Sequence, residues 1–339
     1  MQSVGIIGGG AWGTALAVVA RRAGRDVTLW ALESEVVTAV NSQHRNPPYL
    51  PDVPLDPAIT ATGDMISVAK SDAILLVAPA QHLRGVCRTL APHIKAGTPV
   101  VICAKGIERG SSALMTDVVA EVLPHAAMMV LSGPTFAREV AMGLPTAITL
   151  GAADQTLGRK VAEAISSPTF RPYLSEDVIG AEVGGAVKNV LAIGCGMADG
   201  KGLGANARAA LLTRGLAEIV RLAVARGGQP ETLMGLSGLG DLVLTATSLQ
   251  SRNYSLGVAL GKGQTLDEVL GARRSVTEGV TTAEAVVTLA AKLKVDMPIC
   301  AAIDRVLNHG AAIDDMLRGL LERPLRDEVD AAIKRKNNA

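Results

Sequence analysis

Val4-Gly5-Ile6-Ile7-Gly8-Gly9-Gly10-Ala11-Trp12-Gly13 opens the chain with a short apolar run that enters a G-x-G-x-x-G spacing without a break. A strand feeding that spacing is the start of a strand–turn–helix unit built around a dinucleotide. Gly8 allows the tight turn, Gly10 removes the Cβ that would hold the backbone away from a pyrophosphate, and Gly13 lets the following helix pack close to the strand. The helix then offers its unpaired N–H groups to the phosphates. An ordinary glycine-rich turn is the bland alternative. The helix-forming run Ala15 to Arg22 and the second strand-like run Val27 to Trp30 argue against it.

Outward from this motif, short β-branched runs alternate with helical patterns at Val4 to Ile7, Val27 to Trp30, Ala73 to Val77, Val100 to Cys103, Met128 to Leu131 and Thr146 to Leu150. That alternation predicts a doubly wound, mainly parallel α/β Rossmann sheet. Asn41 to Pro57 carries five prolines, which forbid regular helix and predict a surface excursion between the second and third of these strands. After about Glu176 helical periodicity takes over, with Leu212, Leu216, Ile219, Val220, Ala223 and Val224 on one face, and glycine clusters at Gly200 to Gly204 and Gly235 to Gly240 interrupt the helices. The expected organisation is a dinucleotide-binding domain over residues 1–180 and an all-α substrate domain over residues 181–339.

The length of 339 residues favours two cores over one, and 48% hydrophobic residues supply both. A net charge of +1 with 2% aromatics excludes a nucleic-acid binder, which needs a basic face and stacking rings. With the first strand starting near residue 2 there is no room for a cleaved signal peptide, and stretches such as Ala73 to Ala80 are too short to span a bilayer. Cys87, Cys103, Cys195 and Cys300 are scattered, without C-x-x-C or a histidine at metal spacing. Buried thiols in the reducing cytoplasm, and no metal, are expected. The apolar helical half points to a homodimer.

A nicotinamide enzyme needs a group that exchanges a proton with the substrate oxygen. Lys188 is the leading candidate, in Gly184-Gly185-Ala186-Val187-Lys188-Asn189-Val190, with no other charge between Glu182 and Asp199. A surface lysine is the alternative, but apolar neighbours favour burial, which shifts an ammonium's acidity. Gly238-Leu239-Gly240-Asp241-Leu242, then Thr245 and Ser251-Arg252-Asn253, form a second constellation. Asp241 also reads as a helix N-cap. Arg252 between two neutral hydrogen-bonding residues suits a phosphate, against a merely solvated loop. Lys105 in Cys103-Ala104-Lys105-Gly106, and Ser132-Gly133-Pro134-Thr135-Phe136-Ala137, both follow strands at the edge where open sheets bind ligands. Strand-to-helix punctuation is the alternative for both. No nucleophile elbow and no P-loop is present, since Leu239 spoils the first pattern and Gly261-Lys262 lacks the rest of the second.

From Gly5 to about Glu328 the chain closely resembles bacterial-type NAD(P)-dependent sn-glycerol-3-phosphate dehydrogenase. The resemblance is carried by Gly8 to Thr14, Asn46 to Pro51, Ala104 to Gly106, Ser132 to Ala137, Gly184 to Asn189, Gly204 to Arg208, Gly238 to Leu242, Ser251 to Asn253, Glu278-Gly279 and Arg323 to Arg326. It implies a Rossmann domain followed by an all-α domain like the C-terminal domain of 6-phosphogluconate dehydrogenase. The activity it implies is reversible conversion of glycerol 3-phosphate to dihydroxyacetone phosphate, serving phospholipid synthesis. Carried over by resemblance, Lys188 is the proton donor and acceptor. Lys105, Gly133, Thr135, Asp241, Ser251, Arg252 and Asn253 surround the substrate, with Arg252 and Asn253 toward its phosphate. Gly8, Gly10, Ala11, Trp12, Gly13, Lys105, Ala137, Arg252, Val276 and Glu278 meet NAD or NADP, and Asn189 and Thr245 complete the polar network.

Two positions depart from that pattern. Relatives often place His or Arg near positions 32 and 33 to meet the 2′-phosphate of NADP, where this chain has Leu32-Glu33. A carboxylate there repels that phosphate and accepts from a ribose hydroxyl, which points to NAD or to use of both cofactors. Ala80 stands where relatives often carry Ser, a change confined to one cofactor-side hydrogen bond. The rival enzyme, a related dehydrogenase of 3-hydroxy acids or acyl thioesters, needs a catalytic histidine or a carboxylate-binding pattern, and none of His44, His82, His93, His125 or His309 lies in a comparable motif. A non-catalytic nicotinamide sensor leaves the Lys188 and Arg252 blocks without a purpose.

Overall fold

The computed structural model describes residues 1–271, 277–325, 327 and 328. Two compact units emerge from it: Met1–Lys105 with Ala113–Glu182, and Gly106–Ser112 with Val183 onward.

The first unit is built on one eight-stranded sheet: β1 (Ser3–Ile7), β2 (Asp26–Trp30), β3 (Ile59–Thr62), β4 (Ala73–Leu76), β5 (Pro99–Ile102), β6 (Ala127–Ser132), β7 (Thr146–Ala152) and β8 (Phe170–Ser175). The order across the sheet is β3-β2-β1-β4-β5-β6-β7-β8, and every neighbouring pair is parallel except β6 with β7. The apolar runs are continuous because both faces are covered: Val4, Ile6, Leu75 and Val101 pack into one core, and Ile7, Leu76, Val100 and Ile102 into the other. The chain order reverses between β1 and β4, which makes the end of β1 the crevice where such sheets take ligands.

Two strands lie outside the sequence expectation. β3 is four residues long, and β8 contains Pro172, which an edge strand tolerates because one side of its ladder is unpaired. The proline-rich stretch also differs from a surface excursion. Its first residues continue the helix Ser34–Gln43, and Asn46, Leu50, Val53 and Leu55 are buried, the last three in the core that holds Val4.

The second unit is helical. The unit boundary falls inside the helix Val178–Gly200, after Glu182. By length and composition this is the one described segment able to cross a membrane, but 89% of its most apolar window is buried within the protein, as befits a core helix. Within this unit the helix Arg252–Gly261 packs against it backbone to backbone: a Cβ on Gly196 would stand 2.2 Å from the Tyr254 carbonyl oxygen, and one on Gly257 2.0 Å from that of Ile193. The small residues thus bring Asn253 beside Asn189. The cluster Gly235 to Gly240 interrupts the helices only at its start, where the helix Pro230–Leu233 has ended and Gly235 is extended; Leu236–Gly240 is a π-helical turn that runs into the helix Asp241–Ala246. Gly184 accommodates it closely, since a Cβ there would lie 2.5 Å from the Ser237 carbonyl oxygen.

Candidate active site

In the first unit the glycine-rich turn has the shape the spacing demands. Gly8 sits at φ +127°, and a Cβ on Gly13 would stand 1.8 Å from the Gly8 carbonyl oxygen, so neither position takes a side chain. At Gly10, by contrast, nothing lies within 4 Å of the missing Cβ. Gly10 is also the N-cap of the helix Ala11–Arg22, which has no side-chain cap and no acidic residue in its first turn. The helix start thus leaves room on the Cβ side of Gly10 and brings no side-chain carboxylate to its first turn, which fits the pyrophosphate of a dinucleotide. Ala11 and Trp12 open this helix, and the Trp12 Nε1–H is buried with no partner among the described residues.

On the same sheet edge, just beyond β5 and β6, three candidates meet at one atom. Lys105 Nζ donates to the Gly133 carbonyl oxygen at 3.0 Å, and Thr135 Oγ1 donates to it at 3.2 Å. Ala137 begins the next helix, Ala137–Met142. Ala80 is buried in the turn that follows β4.

In the second unit Lys188 is buried, which settles the surface alternative. Its Nζ donates to Asp241 Oδ1 at 2.5 Å and to Thr245 Oγ1 at 2.7 Å, and the Thr245 hydroxyl donates to Asp241 Oδ1 at 3.3 Å. The Asp241 side chain is fully enclosed and that of Lys188 is 8% exposed. An ammonium can be buried in this way because the carboxylate compensates its charge and the hydroxyl takes a further proton. Asp241 is not an N-cap. Gly240 fills that position, and the π-turn delivers Asp241 as the first residue of its helix with the carboxylate turned to Lys188.

Beside this cluster, Asn253 Nδ2 donates to Asn189 Oδ1 at 3.0 Å, while Asn253 Oδ1 accepts from the Gly279 N–H at 3.1 Å. One side chain thereby joins the Lys188 helix, the Arg252 helix and the first turn of the helix Glu278–Leu293, where Glu278 is the opening residue. Ser251 is the N-cap of the Arg252 helix, its Oγ accepting from the Tyr254 N–H at 3.2 Å, and Arg252 follows it with an exposed side chain. The geometry thus gathers Lys188, Asn189, Asp241, Thr245 and Asn253, and separately Lys105, Gly133 and Thr135. Val276 and Arg326 lie outside the described residues.

Sequence reasoning missed several participants. Tyr254 donates from its hydroxyl to Asp199 Oδ2, which also accepts from Arg208 Nη1 at 2.6 Å; this anchors the Arg252 helix, and the tyrosine two positions after Arg252 was its only signal. Burial and the bond to Asp199 raise the Tyr254 phenol above its ordinary value. Glu218, on the buried face of the helix Gly204–Ala225, accepts from the N–H groups of Ile299 (2.7 Å) and Cys300 (3.0 Å). Burial raises its carboxyl above the usual range. All four cysteines are buried and unpaired. Among the described residues, no group of three or more His, Cys, Asp or Glu could hold a metal ion.

Comparison with known proteins covers both units. Residues 3–158 match the family model for the N-terminus of NAD-dependent glycerol-3-phosphate dehydrogenase, and residues 177–318 match that for its C-terminus. The chain is 60% identical over 329 residues to glycerol-3-phosphate dehydrogenase [NAD(P)+] of Rhodospirillum rubrum, covering 97% of this chain and 94% of the relative. It is 58% identical over 328 residues to the protein of the same name from Caulobacter vibrioides, covering 97% and 99%. The crystal structure of a glycerol-3-phosphate dehydrogenase from Coxiella burnetii, 40% identical, superposes with a TM-score of 0.91 over 95% of this chain and 99% of that one.

Proposed function

The chain belongs to the NAD-dependent glycerol-3-phosphate dehydrogenase family, and from that premise we propose that Lys188 exchanges the proton, with Asp241 and Thr245 holding it in place. The protein is an NAD(P)-dependent oxidoreductase that interconverts glycerol 3-phosphate and dihydroxyacetone phosphate. The buried triangle of Lys188, Asp241 and Thr245 carries the proposal.

When bound, the nicotinamide supplies or takes the hydride. The residues of this chain do the rest. As a ketone is reduced, negative charge grows on its oxygen, where the Lys188 ammonium stabilises it and then gives up a proton; in oxidation Lys188 Nζ receives the hydroxyl proton. Asp241 and Thr245 fix the direction of Nζ and keep the cation tolerable in a dry setting. Asn189 and Asn253 hold the three helix segments around the substrate, Lys105, Gly133 and Thr135 contribute polar groups to it, and Arg252 at a capped helix start binds its phosphate. Gly8, Gly10, Ala11, Trp12, Gly13, Lys105, Ala137, Arg252, Val276 and Glu278 serve the cofactor, and Glu33 favours NAD.

The domain division at about residue 180, a cytoplasmic location, a homodimer, and supply of glycerol 3-phosphate to phospholipid synthesis complete the reading. The unpaired cysteines support the location, and the exposed Leu321 and Leu325 support association. Initial rates of NADH and NADPH oxidation with dihydroxyacetone phosphate test the reaction. Turnover is expected, faster with NADH at equal concentration; its absence with both cofactors would overturn the assignment.

A further inference from the structure

Glu33 lies three residues beyond the end of β2, at the sheet edge where an acidic residue meets the ribose of a dinucleotide. Its backbone is fixed as the N-cap of the helix Ser34–Gln43, with its carbonyl oxygen accepting from Val36 N at 3.1 Å and Val37 N at 3.2 Å. A capped backbone alone leaves the side chain several rotamers. Here one is selected, because the Tyr49 hydroxyl donates to Glu33 Oε1 at 2.7 Å.

Tyr49 sits on the proline-rich segment 44–57, which is firmly seated. Leu55 N donates to the His44 carbonyl oxygen at 2.8 Å, Leu50 N donates to that of Asn46 at 2.8 Å, and Leu50, Val53 and Leu55 are buried in the core. The same segment reaches the glycine-rich turn: Asn46 Nδ2 donates to the Gly9 carbonyl oxygen at 2.8 Å and to Thr14 Oγ1 at 2.7 Å. One strap therefore touches both the phosphate cradle and the carboxylate at the end of β2.

We propose that segment 44–57 is a cofactor-selecting strap in which Tyr49 is a positioning residue: by aiming Glu33 it sets the choice between a ribose 2′-hydroxyl and a 2′-phosphate, while Asn46 braces the turn that serves either cofactor. With Oε1 engaged by Tyr49, the carboxylate stays where it accepts from a hydroxyl and repels a phosphate. Leu32 beside it is 78% exposed and brings no cation to offset that repulsion. The hydrogen bond to Glu33 is also the main cause that raises the Tyr49 phenol above its ordinary value.

The inference rests on the reading that Gly8 to Gly13 takes the dinucleotide, and the experiment separates the two. Equilibrium dissociation constants of NADH and NADPH are measured by fluorescence for the wild type, Tyr49→Phe, Glu33→Gln, the double variant and Asn46→Ala. The wild type favours NADH. Tyr49→Phe lowers the NADH-over-NADPH affinity ratio about three- to tenfold, the range of one hydrogen bond. Glu33→Gln lowers it at least as far, and the double variant goes no further than Glu33→Gln. Asn46→Ala weakens both cofactors alike. Partial unfolding removes binding of both equally and leaves the ratio unmoved, so a merely structural role for Tyr49 cannot mimic this result. An unchanged ratio in Tyr49→Phe alongside a shifted one in Glu33→Gln overturns the positioning role. An unchanged ratio in both removes Glu33 from the ribose. Failure of the wild type to bind either cofactor overturns the dinucleotide reading itself.

Discussion

Replacing Asp241 by Asn tests whether the buried pair is as interdependent as its geometry requires. The substitution keeps the shape of the side chain and removes its charge, leaving the Lys188 ammonium enclosed beside a neutral amide in place of the carboxylate. At 2.5 Å and an effective dielectric of about 20, the attraction lost is about 7 kcal/mol before any solvation is returned. Relaxation and water entry recover part of it, so the expected net loss of stability is about 3 to 5 kcal/mol. Urea unfolding followed by circular dichroism at 222 nm suits this site, because the second unit contains long helices such as Gly204–Ala225 and Glu278–Leu293. Both tryptophans, Trp12 and Trp30, belong to the sheet unit and report on it instead. A double variant, Lys188→Met with Asp241→Leu, removes both charges and is expected to lose less stability than Asp241→Asn alone. A loss below about 0.5 kcal/mol for Asp241→Asn, or a double variant whose cost equals the sum of the singles, would refute the reasoning.

Two further outcomes follow from named contacts. Arg252→Ala is expected to raise the KM for dihydroxyacetone phosphate about 10- to 100-fold, the weight of a charge-assisted phosphate bond; an unaltered KM places the phosphate anchor elsewhere. Glu182, bonded to Thr116 N at 2.9 Å and Thr116 Oγ1 at 2.6 Å, is pushed up by burial to about 7. Its folded value lies above the unfolded value of 4.5, so its contribution is fully present below pH 4.5 and is lost as pH rises through 7, on the order of 3 kcal/mol in all. Glu182→Gln should flatten the fall in Tm between those limits, and a slope equal to the wild type's would assign the titration to another group.

The sheet was legible where its strands are buried on both faces, since a run such as Ala73-Ile74-Leu75-Leu76 has no polar position to confuse the reading. It was illegible at the edges. β3 is short and follows a run of prolines, and β8 carries Arg171 and Pro172 because an edge strand permits them. The reversed direction of β7 leaves no trace in its composition, because an apolar strand reads alike in either sense. At the site, Lys188 stood out as a lone charge among apolar residues, and Asp241 by its glycine-rich approach. That the two meet could not be read, since 53 residues separate them and the π-turn that aims Asp241 is a matter of tertiary packing. Buried acids such as Glu218 hide better still: a carboxylate on a helix pattern looks solvated, and only the facing N–H groups of Ile299 and Cys300 reveal its use. The proline-rich segment misled for a related reason, because proline excludes helix without excluding burial.

Steady-state reduction of dihydroxyacetone phosphate by a Lys188→Met variant, with NADH binding measured on the same preparation, tests the proton-exchange role most directly. The expected result is a fall in kcat of about 10² to 10⁴, the usual worth of a positioned acid, with the NADH dissociation constant within about twofold of the wild type. A kcat within about threefold of the wild type, at undiminished cofactor binding, would contradict the role assigned to Lys188.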